Sequence, residues 1–345
     1  MKTSAKIRNA LLSLTSVAAI LATSTLSVYA ATSPKDAPLP YQVEKFTVVS
    51  KNTITGEISS RECDTSATTL ALNQGVTTMS TPAYKGSLPS TDITGINSEI
   101  APQYIIGSDD RERVFYPQDY HPYRTICRVV AYWDMDEDGI IDDTVTVGTG
   151  FLEGPNAVVT AGHCIYENEQ KKWCEYAEVT VAQDGPNSTP FGVIRSTTIN
   201  TSVAWIEDGD WNQDWAIVEI AEDIGYTVGW MGKLWTSGSL NDTPIILSGY
   251  PGDIATSLTD KYYDSIPYKG CYMWTSTGMI KNSLSARLEF DADMMGGMSG
   301  CPVYNLSNQA LAINTYGIEY SDGPINGGTR ITEWLYNLLE EYRPF

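Results

Sequence analysis

Histidine is scarce in this chain of 345 residues: His121 and His163 are the only two. A centre built on several imidazoles is therefore excluded, and any reaction needing a histidine base has two candidates. Positive charge is also in short supply. Lys and Arg number 22 against 42 Asp and Glu, a formal net charge of −20, and so acidic a surface repels a nucleic-acid backbone. Beyond residue 34 no run is long and apolar enough to span a bilayer. What is present suffices for a packed core. Hydrophobic residues make up 42 % and aromatics 10 %, which argues against global disorder.

Lys2, Lys6 and Arg8 precede an uncharged run that ends in Val28-Tyr29-Ala30 before Ala31. A basic start, an apolar middle and small residues before the cut read as a secretory signal, residues 1–30, and as export to the extracellular space. The Ser and Thr content of the run speaks against a retained membrane anchor. Residues 31–103 are rich in Ser and Thr and only weakly periodic. Eight of the 22 basic and seven of the 42 acidic residues lie in 1–103, leaving 14 and 35, a net −21, for 104–345. A leader, a weakly patterned stretch and a dense acidic part match the layout of a secreted zymogen with 31–103 as its propeptide. A disordered linker that stays attached is the other reading.

Past residue 104 short runs rich in Val, Ile, Thr and Tyr alternate with Gly, Pro, Asn and Asp turns. Strands are expected at Thr125–Trp133, Asp143–Phe151, Ala157–Ala161, Glu178–Ala182, Trp215–Ile220 and Pro244–Ser248. Their spacing, with no helices between, predicts an all-β architecture of antiparallel sandwiches or barrels. One late helix is expected, since Ile331, Trp334, Leu335, Leu338, Leu339 and Tyr342 recur at intervals of three and four, with Thr332 as a cap. No internal repeat is visible in the residues.

Three residues form an ordered set. Ser299 sits in Gly296-Gly297-Met298-Ser299-Gly300-Cys301-Pro302, where glycines on both sides let the backbone turn tightly and expose its amides. A serine needs an adjacent base to attack, and acyl transfer needs N–H donors facing the developing oxyanion. Gly297 and Ser299 are the expected donors; a plain Gly-rich turn is the alternative. His163 is delivered by the apolar strand Val158-Val159-Thr160-Ala161, whereas its competitor His121 sits beside Pro122 with no strand behind it. Asp214 heads Trp215-Ala216-Ile217-Val218, where a carboxylate can be buried against the imidazole N–H. Glu207, Asp208 and Asp210 nearby show the other reading, a solvated acidic loop.

The order His-Asp-Ser, the element Thr160-Ala161-Gly162-His163-Cys164 and the Gly-x-Ser-Gly-x-Pro loop resemble the chymotrypsin-fold serine peptidases. Finer matches point to the bacterial glutamyl endopeptidase branch: Ile105-Ile106-Gly107-Ser108-Asp109, Pro122-Tyr123-Arg124, Ser248-Gly249-Tyr250-Pro251-Gly252-Asp253 and Gly328-Thr329-Arg330-Ile331-Thr332. The resemblance covers about 104–345. It implies two antiparallel six-stranded β-barrels, 104–225 and 226–330, a closing helix in 331–345, and a triad in the cleft between the barrels. It also implies maturation by loss of the propeptide.

The resemblance breaks at the specificity positions. Asn314 stands where the family carries a pocket histidine, and Met294 where it carries a threonine. Losing a potential cation and a hydroxyl removes the bonds a glutamate carboxylate needs, so strict glutamate preference is expected to be lost. Met294, Met295 and Asn314 would leave a softer pocket. Asp293 occupies the position where trypsin-like enzymes bind Lys or Arg, though glutamyl members can also carry an acid there. Thr315, Tyr316 and Gly317 are the expected edge for pairing substrate backbone. Met298 replaces the aspartate that captures the new N-terminus in trypsin, so activation by that ion pair is unavailable.

Six cysteines in an exported chain suggest disulfides. Within the resemblance, Cys271 with Cys301 would bracket the specificity region, and Cys174 is the nearest candidate partner for Cys164. Cys63 falls in the propeptide and Cys127 in the first strand, so maturation leaves five cysteines, hence a free thiol or an intermolecular bridge. Asp134-Met135-Asp136-Glu137-Asp138-Gly139-Ile140-Ile141-Asp142 matches the first nine positions of a calcium loop, with Asp134, Asp136, Asp138, Ile140 and Asp142 as candidate ligands. Val145 stands in place of the final glutamate and strands lie at both flanks, so an ordinary acidic hairpin is the other reading. No cofactor is required for catalysis, and structural calcium is the one ion suggested. The expected protein is a monomeric secreted serine endopeptidase whose partners are polypeptide substrates and its own propeptide. An inert binding module on the same barrels and an esterase-like hydrolase with the same triad are the rival readings.

Overall fold

The computed structural model describes residues 46–63, 77–89, 91–92, 105, 109–141, 144–253, 270–321 and 323–344. The expected signal segment 1–30 and the expected junction after residue 103 lie outside the described residues.

Twelve strands close into two barrels. The first uses β1 (Ile126–Trp133), β2 (Thr144–Leu152), β3 (Ala157–Thr160), β4 (Tyr176–Val181), β5 (Ile194–Ser202) and β6 (Ala216–Ile220). Their antiparallel order β4-β1-β2-β3-β6-β5 closes because β4 also pairs with β5. The second uses β7 (Pro244–Gly249), β8 (Trp274–Ser283), β9 (Arg287–Phe290), β10 (Pro302–Tyr304), β11 (Gln309–Tyr320) and β12 (Gly323–Arg330). Its order β10-β7-β8-β9-β12-β11 closes through β10 and β11. Closure satisfies the backbone groups that an open sheet leaves at its edges. Continuous apolar runs such as Ala157–Thr160, buried at every position, follow from this, since a strand in a barrel wall can be covered on both faces.

Each barrel has its own core. Val129, Leu152, Val158, Ile199 and Val218 fill the first, and Leu247, Ile280, Leu288, Phe290 and Val303 the second. The expected pairs Cys271–Cys301 and Cys164–Cys174 do not form; all six cysteines are thiols. Cys301 is enclosed in the second-barrel core, whereas Cys271 lies beside Arg128 of β1. Cys164 turns its Sγ to the Ser299 carbonyl at 3.7 Å. A disulfide needs two Cβ atoms roughly 4 Å apart with matching directions, which sequence spacing does not supply. Burial pushes the thiols of Cys127, Cys174 and Cys301 far up, so they behave as small apolar groups.

The stretch read as weakly patterned contains ordered structure. Phe46–Asn52 pairs antiparallel with β5, and Ile58–Cys63 pairs with it in turn. Only Phe46, Val48 and Lys51 of these two strands are buried, too few for a period to show. Phe46 joins Trp215 and Trp334 at ring separations of 5.7 and 4.5 Å. Thr78–Thr81 pairs with Gly232–Thr236, itself alongside β11. Arg124, fully buried, holds the carbonyls of Leu88 and Pro89.

The closing helix runs Glu333–Glu340, with the Thr332 hydroxyl accepting from Leu335 N–H. Trp334, Leu335, Leu338 and Leu339 are buried between the barrels with Trp215, Phe151 and Ile313. Lys233 and Glu153, both without exposed side-chain surface, pair at 2.6 Å. Arg343 also reaches Glu153 and Glu340 reaches Lys233, tying the helix to the first barrel and to the connecting strand.

Candidate active site

β3 and β6 are antiparallel neighbours with Thr160 opposite Ala216. The chain leaving β3 and the chain entering β6 therefore meet at one end of the first barrel. His163 lies three residues beyond Thr160 and Asp214 two before Ala216, so the pairing that closes the barrel also brings imidazole to carboxylate. Asp214 Oδ2 lies 2.8 Å from His163 Nδ1, and Oδ1 accepts the His163 backbone N–H at 2.9 Å. Gly162 is required there, because a Cβ would come within 3.1 Å of Asp214 Oδ1 and 2.9 Å of the Trp205 ring. Asp210 is not a rival acid; it caps the turn Trp211–Gln213 that presents Asp214. The Thr329 hydroxyl donates to the Asp214 carbonyl at 3.0 Å.

Burial by itself lowers the His163 pKa. The Asp214 carboxylate outweighs it, with a further contribution from Cys164, and holds the imidazole well above its ordinary value of 6.5. Asp214 is buried while the His163 side chain keeps 28 % exposure, leaving a face of the ring open to a reactant.

Ser299 is fixed through its main chain. Its carbonyl accepts from Thr149 N–H at 2.8 Å, while the Thr149 hydroxyl donates to the Gly297 carbonyl, also at 2.8 Å. The Cys164 contact sets the serine beside the residue next to His163. Among the described residues the Ser299 hydroxyl makes no hydrogen bond, to His163 or to any other group; such contacts often tighten only when substrate binds. The Gly296 carbonyl accepts from Gly252 N–H at 2.7 Å, and the Met298 carbonyl from Asn314 Nδ2 at 3.0 Å. In a trans peptide the following N–H points the opposite way. The amides of Gly297 and Ser299 are thereby turned away from these anchors, a pair of donors suited to an oxyanion. Gly297 has φ +99° and a Cβ there would meet the Tyr250 carbonyl at 2.4 Å, so only glycine fits.

The expected pocket residues separate. Met294 is buried in the second-barrel core and Met295 is half-buried at the surface. Asn314 lies at the end of β10–β11 pairing, fully buried. Thr315 and Tyr316 follow it, with the Tyr316 ring over Gly327 and 5.7 Å from Trp211; Gly317 faces Asn326 across β11–β12. Asp293 is fully buried, and its Oδ2 accepts Asp110 N–H at 3.1 Å. The contacts of Thr149, Thr329 and Asn326 are not legible in the sequence. Their types are ordinary strand residues, and only the pairing reveals what they touch.

In the acidic hairpin the carboxylates of Asp134, Asp136 and Asp138 lie within 4.8 Å of one another. They accept the N–H groups of Gly139, Asp138 and Ile140 respectively. Ile140 is exposed, and Asp142 lies outside the described residues. All three carboxylates are hard oxygen donors of the kind calcium takes.

The trypsin-like peptidase domain family matches residues 148–313. A glutamyl endopeptidase of Bacillus licheniformis is 33% identical over 247 residues, covering 69% of this chain and 69% of that one. An extracellular metalloprotease of Bacillus subtilis is 30% identical over 250 residues, 70% of each. A solved structure of a Glu endopeptidase in complex with MPD superposes with a TM-score of 0.55 at 24% identity, covering 69% of this chain and 98% of that one.

Proposed function

Because this chain belongs to the glutamyl endopeptidase branch of the chymotrypsin-like serine peptidases and is a serine endopeptidase, we propose that Ser299 is its nucleophile, His163 its general base and Asp214 the acid that orients His163. Ser299 Oγ attacks the scissile carbonyl as His163 takes its proton. The oxyanion accepts from the Gly297 and Ser299 amides. His163 then returns the proton to the leaving amine, and water repeats the cycle to free the acyl-enzyme.

The observation that carries this reading is the 2.8 Å pairing of His163 with a buried Asp214 beside the anchored Ser299 loop. Cleavage of a casein or peptide mixture by the processed protein, abolished in Ser299→Ala, tests it; retained cleavage in that variant would refute it. The enzyme is exported and made as a zymogen with 1–30 as signal and 31–103 as propeptide, a reading tested by sequencing the N-terminus of the secreted product.

Strict glutamate preference is absent in this reading. Asn314 Nδ2 donates to the Met298 carbonyl, so one of its two N–H bonds is committed to holding the Ser299 loop, and its amide carries no positive charge to hold a carboxylate. The Asp134–Asp138 hairpin binds one structural calcium ion through its three carboxylates. Calorimetry should show calcium uptake and a chelator should lower the melting temperature; no heat and an unmoved transition would contradict it.

A further inference from the structure

The Ser299 loop rests on a second turn, residues 250–253. Gly252 N–H donates to the Gly296 carbonyl at 2.7 Å, and the Tyr250 carbonyl closes on Gly297, where a Cβ would meet it at 2.4 Å. Tyr250 N–H is held in turn by the Thr149 hydroxyl at 3.0 Å, the group that also donates to the Gly297 carbonyl. This turn decides which way the Gly296–Gly297 peptide faces. Its carbonyl points to Gly252, so the Gly297 N–H points the other way. Asp253, directly after Gly252, fixes the far end of the turn. Its two oxygens accept from Arg111 Nη1 at 3.0 Å and Nη2 at 2.7 Å.

Strand pairing sets Arg111 beside this turn. Glu112 and Arg113 pair with Thr275 and Trp274 of β8, and the same two residues pair with Ser248 and Gly249 at the end of β7. Arg111 and the turn therefore continue from neighbouring positions of one sheet. The Arg111 side chain has no exposed surface, and Asp109 takes its other face through Nε at 2.9 Å and Nη2 at 2.8 Å. Burial alone would lower the Arg111 pKa; Asp109 and Asp253 outweigh it and hold the charge. A planar guanidinium that grips a carboxylate at two points fixes direction as well as distance. We propose that Arg111 is a positioning residue for the oxyanion donor Gly297: it locks Asp253, and the 250–253 turn then locks the peptide that presents the Gly297 N–H. This rests on the assignment of Ser299 as nucleophile. Met298, fully buried in the second-barrel core, gives the loop no acid of its own with which to form an ordering ion pair. The pair comes instead from outside the loop. Without Arg111, Asp109 and Asp253 would face each other as like charges, and the turn would lose its anchor.

The test uses the processed protein, a peptide that it cleaves, and a trifluoromethyl ketone of the same sequence. Attack by Ser299 on that ketone gives a hemiketal whose oxygen ionises in the place of the reaction's oxyanion. Arg111→Gln and Asp253→Asn should each lower kcat by about 100-fold, the cost of one misplaced oxyanion donor, with KM within about threefold of the parent. Carbon-13 NMR of the hemiketal carbon should show its oxygen ionising about 2 pH units higher in either variant, the same 100-fold. A residue that only supports the fold would not move that titration. The double variant should be within about threefold of either single one, because the two residues act as a unit. If Arg111→Gln fails to fold by circular dichroism, Asp253→Asn decides, since it leaves Arg111 its Asp109 partner. Unchanged kcat in both variants, or a slower kcat with an unmoved hemiketal titration, overturns the proposal alone. A parent that forms no adduct on Ser299 would overturn the nucleophile reading, and this proposal with it.

Discussion

Asp214 does more than carry charge. It takes both the side-chain and the main-chain N–H of His163, so it fixes the tautomer of the ring and the position of the residue together. Asp214→Asn removes the charge and can present the wrong hydrogen-bond sense; kcat should fall by about 10⁴-fold with KM little changed. Steady-state kinetics on a peptide substrate checks this. Only the neutral imidazole can accept the serine proton. Because His163 is held above 6.5, kcat/KM should rise with pH along a limb centred above that value, and a limb at or below it would contradict the geometry. Sequence made these three residues legible through the glycines around Ser299 and the strand behind His163. It did not reveal that Asn314 directs its NH2 to Met298, since an amide's direction depends on the carbonyl that folding sets before it.

At the scale of elements, barrel closure places the proposed base and its acid: β3 and β6 have to pair for His163 and Asp214 to meet. The strands were readable because β-branched runs between turn residues have a local cause. The N-terminal hairpin was not, because its stability comes from Phe46 against Trp215 and Trp334 and not from its own pattern. The closing helix was readable from its apolar face and its Thr332 cap, whereas its ion cluster was not. In that cluster Glu153 receives both Lys233 and Arg343 out of water. Glu153→Leu leaves two buried cations short of a partner and should destabilise the fold by about 3 kcal/mol or more, measurable by urea denaturation. An unchanged midpoint would mean that the cluster contributes nothing.

At the scale of the molecule, both barrels follow one strand order: 4-1-2-3-6-5 recurs as 10-7-8-9-12-11. No repeat in the residues announces it, because a shared topology needs only matching turns and apolar walls, not matching side chains. The cysteine pairs suggested within the family resemblance are not seen among the described residues; proximity along a chain does not set Cβ directions in a closed barrel. The acid excess is a property of the whole, and it should make cleavage of cationic peptides salt-sensitive. Raising ionic strength from 0.01 to 1 M shortens the screening length from about 30 to 3 Å, so kcat/KM on such peptides should drop while kcat holds. All of this presupposes a serine activated by a single imidazole. The most direct measurement is fluorophosphonate labelling of the processed protein, with the modified residue mapped by mass spectrometry in the parent and in His163→Ala. The account predicts one adduct per chain, on Ser299, and its loss in the variant; an adduct elsewhere, or undiminished labelling without His163, would contradict it.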